Sequence, residues 1–191
     1  MWGDILELVK SAELFAKERL SGIIRYDGKI PHSKHLDDVM NRLKSLGVVD
    51  GDILCSGWLH DSMEQSSVSF DDLYERFGST VAVMVSDLTQ DMTLSKKKRE
   101  QAYVLQLKDS SSDSKMIKLC DISANLSDLK NYEGSKSKKS RLVRQQRRHL
   151  LAVRDGLLGN VNYPGIQSLL TSTEQILNRF TQKPSKIKSK Y

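Results

Sequence analysis

The chain has 191 residues, 28% of them charged and 38% apolar. That balance excludes a disordered polymer and suffices for one buried core, since a chain of this size hides roughly 70% of its unfolded surface. Two cysteines, Cys55 and Cys120, exclude a disulfide framework and fit a reducing, cytoplasmic setting, and no apolar run reaches bilayer length. The start, Met1-Trp2-Gly3-Asp4, has an acid where a secretory leader needs positive charge.

In chain order the pattern is helical. Ile5, Leu6, Leu8, Val9, Leu14, Phe15 and Leu20 approximate one helical face. Gly28 and Pro31 break the chain into a loop over 21–33, and Leu36, Val39, Met40 and Leu43 mark a second helix ending at Gly47. Asp50-Gly51 reads as a turn and 53–63 as a buried helix. Ser69 caps a short helix with Asp71 and Asp72 in its first turn, and Gly78-Ser79-Thr80 opens the next. Lys96-Lys97-Lys98-Arg99 reads as a solvated helix face, and a polar loop over 110–113 precedes a helix over 114–129. Residues 134–140 are low in apolar side chains and read as flexible; helices over 140–158 and 165–180 follow. With no convincing strand pattern the expected fold is all-α: one domain over 1–180 and a basic, disordered tail over 181–191.

The formal charge of +6 is unevenly placed. Residues 1–129 carry 16 basic against 21 acidic side chains, and residues 130–191 carry 14 against 3. Three readings stand for that basic third: a solvated helix face and tail, the rim of a pocket for an anionic small ligand, or a phosphate-binding surface for nucleic acid. The scarcity of aromatic residues among the basic ones argues against nucleic acid. His149, in Arg147-Arg148-His149, reads as a surface or helix-face residue.

The chemistry concentrates in four residues. His35 opens the second helix, His60 and Asp61 lie near the end of the buried one, and Asp121 follows the apolar stretch Met116-Ile117-Lys118-Leu119-Cys120. Two imidazoles and two carboxylates make a nitrogen and oxygen donor set suited to manganese, iron or zinc rather than calcium. Taken singly, each also fits a satisfied core histidine or a capping aspartate. His32 competes with His35 as a ligand; His35 is favoured because it aligns with the start of the helix bearing Leu36 and Val39.

Spacing and flanks together carry a resemblance. Leu59-His60-Asp61-Ser62-Met63-Glu64, with His35 before it and Lys118-Leu119-Cys120-Asp121-Ile122-Ser123-Ala124-Asn125-Leu126 after it, resembles the HD-domain metal phosphohydrolases. More narrowly it is similar to the hydrolase domain of RelA/SpoT proteins and the small alarmone hydrolases. Arg25-Tyr26-Asp27-Gly28, Tyr74-Glu75-Arg76-Phe77-Gly78 and Val85-Ser86-Asp87-Leu88-Thr89 match as well. The resemblance implies an HD-type helical bundle in which His35, His60, Asp61 and Asp121 hold one divalent ion, most often manganese in this family. It implies that Glu64 positions or deprotonates the attacking water, and that Arg25 and Asn125 contact the guanosine nucleotide. The implied reaction of the stringent response removes the 3′-pyrophosphate from guanosine tetra- or pentaphosphate, returning GDP or GTP.

The departures define the alternatives. Gln65 stands where the family has a second acid, and a glutamine cannot accept a proton from water. Tyr26 replaces the lysine beside the nucleotide arginine and offers a ring for stacking without a charge, and Ser127 stands where a basic residue is usual. A related nucleotide phosphohydrolase with a shifted substrate, such as an NADPH 2′-phosphatase, or a catalytically impaired nucleotide-binding protein are the competing expectations. The oligomeric state stays open.

Overall fold

The structure is a computed structural model that describes residues 2–25 and 28–181. Ten helices occupy it: α1 (Trp2–Arg19), α2 (His32–Ser45), α3 (Gly51–Leu59), α4 (Ser62–Gln65), α5 (Phe70–Phe77), α6 (Ser79–Leu88), α7 (Lys96–Asp109), α8 (Ser112–Lys130), α9 (Lys136–Arg154) and α10 (Gly165–Thr181). Among the described residues there is no β-strand, only an isolated bridge between Ile24 and Pro31 that closes the loop before α2. The expected all-α bundle is what the chain forms. The tail placed at 181–191 lies outside the described residues, apart from Thr181, which ends α10.

Helix α8 is the axis of the bundle, with α2, α3, α6, α9 and α10 packed around it. Its residues Met116, Ile117, Leu119, Cys120, Ile122, Ala124, Leu126 and Leu129 are buried, because neighbouring helices cover it on nearly every side. Each large aliphatic side chain so buried contributes roughly 1.5–3 kcal/mol. A polar residue in such a helix needs partners, and Asp121 and Ser123 are both buried there.

Helices α2 and α3 cross closely because Gly57 has no side chain. A Cβ there would sit 2.5 Å from Leu43 Cδ1 and 2.9 Å from Met40 Sδ. Asp50 caps α3 by accepting from the amides of Asp52 and Ile53, so Gly51 begins the helix rather than closing a turn. The helix expected over 53–63 is two helices, α3 and α4, broken at His60-Asp61.

Three further expectations need correction. In α1 the buried face is Ala12, Phe15, Ala16 and the following Leu20, while Leu6 and Leu14 are exposed, because positions 6 and 14 fall off the 12–16–20 stripe. Residues 136–140, read as flexible, are the first turns of α9: Ser135 accepts from the Lys138 amide and starts the helix four residues early, and the helix ends at Arg154. His149 is not on the surface; it is 2% exposed, wedged edge-on against the Tyr103 ring.

Candidate metal centre

The first turn of α2, the joint between α3 and α4, and the middle of α8 converge at one place. Pro31 opens α2 and sets its direction, so His32 and His35, three residues apart, lie on the same buried face as Leu36 and Val39. The α3 chain continues through His60, whose Nδ1–H donates to the Gly57 carbonyl at 2.9 Å. That bond turns Nε2 into the cluster, where it is buried without a hydrogen-bond partner. Nitrogen and oxygen atoms of His35, His60 and Asp121 lie within 4.8 Å of one another.

Asp121 is held from two sides. Its Oδ1 accepts from Asn125 Nδ2 at 2.6 Å and lies 3.1 Å from His35 Nε2; its Oδ2 accepts from Lys118 Nζ at 2.8 Å. Asp61 completes the cluster. Its Oδ2 faces His60 Nε2 at 3.4 Å and His35 Nε2 at 3.8 Å, and it accepts from His32 Nε2 at 2.8 Å.

The electrostatics describe a group of donors waiting for positive charge. Burial alone would raise the Asp61 and Asp121 carboxyls, but His60 beside the first and Lys118 beside the second outweigh it and hold both well below the usual carboxylate range. Burial would likewise lower both imidazoles. It wins at His35, pushed down to about 4; at His60 the facing Asp61 and Asp121 charges win and lift it to about 9. A proton on His60 thus neutralises part of the buried negative charge.

The remaining candidate residues fall at different depths. Glu64, in α4, accepts from the Gln90 amide at 3.2 Å and from Gln90 Nε2 at 3.3 Å, and burial together with the Asp61 charge raises its carboxyl. Gln65 is exposed at the end of α4. Arg25 donates through Nη2 to Asn125 Oδ1 and pairs through Nε with Asp128 at 3.3 Å, which ties it to the same α8 face as Asp121. Tyr26 lies outside the described residues.

Two features escape a reading of the sequence. Lys118 is buried, its ammonium over the Tyr103 ring and bonded to Asp121; its signal is a lysine inside an apolar run, three residues before an acid. A groove of about 1250 Å³ runs between α7 and α9, lined by Lys96, Lys97 and Arg99 from α7 and Arg141 and Arg148 from α9, with Glu100, Val104 and Leu105 also lining it. Gln90, the partner of Glu64, lines the same groove and joins it to the cluster. The groove is basic because two helices rich in lysine and arginine, α7 and α9, pack side by side.

The chain is similar to known proteins. Residues 12–157 match the HD domain family model. The chain is 29% identical over 130 residues, 68% of its length and 73% of the relative's, to guanosine-3′,5′-bis(diphosphate) 3′-pyrophosphohydrolase MESH1 of Homo sapiens. It is 32% identical over 125 residues to the protein of the same name in Xenopus tropicalis, covering 64% of this chain and 70% of that one. The solved structure of a metazoan ortholog of SpoT that hydrolyzes ppGpp superposes with a TM-score of 0.78 at 23% identity, over 90% of this chain and 94% of the other, and shares its fold. With a family model matched over most of its length and the histidines and aspartates gathered at one point, the chain belongs to the HD-domain family.

Proposed function

We propose that the protein is a metal-dependent phosphohydrolase that removes the 3′-pyrophosphate from guanosine tetra- or pentaphosphate. The observation that carries this reading is the convergence of His35, His60 and Asp121, with Asp61 facing both imidazoles and His60 Nε2 buried without a hydrogen-bond partner, near a groove lined by cations. The relatives named for this reaction support the choice of substrate.

The donor set fits a divalent ion such as manganese, iron or zinc: His35, His60, Asp61 and Asp121 would hold it, and the family resemblance makes manganese the first choice. When bound, such an ion acidifies water and polarises a phosphoryl oxygen. Glu64 is the proton acceptor, because its half-buried carboxyl feels the Asp61 and Asp121 charges from outside the ligand set, and Gln90 fixes its direction. Glu64 takes a proton from water as the water oxygen bonds to the phosphorus on the ribose 3′ oxygen; the bond from that phosphorus to the 3′ oxygen breaks, pyrophosphate departs, and the proton held by Glu64 passes to the 3′ oxygen to give the 3′ hydroxyl of GDP or GTP.

Arg25 and Asn125 hold the nucleotide from the α8 side, and the cations of the α7–α9 groove meet its remaining phosphates. Gln65, exposed, takes no part in proton transfer; a single acid serves. The hydrolase domain spans residues 1–180, and its two buried, unpaired thiols suit a reducing cytoplasm.

The test is product analysis of manganese-loaded protein with guanosine tetraphosphate, with NADPH and a chelated sample alongside. Chelator-sensitive release of pyrophosphate and GDP is the expected result. Phosphate released from NADPH alone, or nucleotide binding without turnover, overturns the substrate or the activity respectively.

A further inference from the structure

The cluster holds a third imidazole, and its partner is the ligand that most needs one. The His35, His60 and Asp121 side chains are 1%, 3% and 6% exposed, while that of Asp61 is 22% exposed. Asp61 also stands between two helices, in the joint where α3 ends and the short α4 begins, so no helix interior fixes its backbone. His60 has the Gly57 carbonyl to orient it, and Asp121 has Lys118 and Asn125. Among the described residues, His32 makes the one hydrogen bond that the Asp61 carboxylate receives.

We propose that His32 is a positioning residue of the metal centre: its Nε2–H donates to Asp61 Oδ2 and keeps that oxygen turned toward His35 and His60. The inference rests on the metal reading of the site given above. Three features favour it. The bond is 2.8 Å, short enough to fix the carboxylate about its last torsion. The same oxygen lies 3.4 Å from His60 Nε2 and 3.8 Å from His35 Nε2, so the atom that His32 holds is the atom facing the other ligands. His32 itself is 5% exposed and sits one helical turn before His35, the two rings 5.6 Å apart edge to face, so α2 fixes ligand and holder as one rigid unit.

Outer partners of this kind raise metal affinity by orienting the ligand before the ion arrives, and their loss typically costs about 10- to 100-fold in affinity. A neighbouring nitrogen acting as a ligand instead would contribute a bond to the ion, and the two roles separate experimentally. Glutamine retains an N–H near the position of Nε2; phenylalanine fills the ring volume without a donor; alanine does neither.

The experiment is calorimetric titration of metal-free protein with Mn2+ and with Co2+, on wild type, His32→Ala, His32→Phe, His32→Gln and His60→Ala, with circular dichroism confirming that each is folded. The expected result is one ion per wild-type chain, none on His60→Ala, affinity about 10- to 100-fold weaker for both His32→Ala and His32→Phe, and recovery to within a few-fold for His32→Gln. The Co2+ visible spectrum of His32→Gln should match wild type, since no coordinating nitrogen has been lost. Unchanged affinity in folded His32→Phe overturns the proposal while leaving the metal centre intact. Equal weakening in His32→Gln with an altered Co2+ spectrum overturns it in favour of direct ligation. Should folded wild type bind neither ion, the metal reading falls and this inference with it.

Discussion

The bundle buries two imidazole–carboxylate clusters, and they are built in opposite ways. Around Asp121, two carboxylates and the nitrogens of His35 and His60 point at one another, and His60 Nε2 ends without a hydrogen-bond partner. Between α7 and α9, a single carboxylate, Glu100, accepts from Arg148 Nε at 2.8 Å and Gln145 Nε2 at 3.3 Å, and His149 Nε2 lies 3.4 Å from it. The first brings two carboxylates and two facing imidazoles to one point; the second brings several side chains to one carboxylate. The lesson is that a buried histidine beside an acid says little about function until the acids and donors around it are counted. Carboxylates and imidazoles that converge on one point ask for a cation, whereas donors gathered on one acid make a packing joint.

The sharpest way to break the comparison is to exchange a member of each cluster. Asp121→Asn should empty the centre and lower turnover by about 10³-fold or more, since Lewis-acid stabilisation is worth several kcal/mol of barrier. His149→Gln should leave the ion in place. Elemental analysis after gel filtration reads both, and ion loss from His149→Gln would erase the distinction. Next in size is Glu64→Gln. The ion should stay and kcat should fall about 10²- to 10⁴-fold, the usual contribution of a positioned base. An unimpaired variant would move proton acceptance elsewhere.

A third substitution probes the scaffold rather than the ligands. Gly57→Ala pushes a methyl toward Leu43 and Met40 at the α2–α3 crossing, and both of those side chains are buried. Overpacking of this kind costs about 1–3 kcal/mol. Because the Gly57 carbonyl also orients His60, the loss of stability should be accompanied by weaker metal binding; a Gly57→Ala protein that melts lower yet binds Mn2+ as before would show that the ligand geometry tolerates a shift of α3.

How much of this was legible in the residues depends on range. The all-α fold and most helix limits follow from local pattern, and His35, His60 and Asp121 do converge as their spacing and flanks imply. What sequence could not supply was the order of partners across helices. His32 reads as a rival to His35, but only the approach of α2 to the α3–α4 joint turns it toward Asp61. His149 sits in a run of arginines and reads as exposed, yet the packing of α7 on α9 buries it against Tyr103. The α9 helix starts earlier than the apolar pattern predicts because Ser135, a capping residue, precedes a run of lysines rather than the apolar residues that usually mark a helix start.

The smallest expected effect tests the second cluster by pH. Glu100 is held down to about 2 from an ordinary 4.5: burial opposes the shift, but His149 and Arg148 outweigh it. Its folded form therefore binds fewer protons than its unfolded form, and its stabilisation, present above about pH 4.5, is lost as pH falls toward 2. With 19% of the side chain exposed, solvent screening reduces the contribution to about 1–2 kcal/mol. Burial lowers His149 as well, so its share is lost in a separate window, as pH falls below 6.5. Urea unfolding of chelated protein from pH 7 to pH 2 should show both losses in wild type, the lower one absent in Glu100→Gln and the upper one absent in His149→Gln. Chelation keeps acid release of the ion out of the comparison, so a curve for Glu100→Gln that still falls in parallel with wild type between pH 4.5 and pH 2 would place that acid sensitivity on carboxylates other than Glu100, and the donor-rich joint would lose its standing as the counterpart of the metal centre.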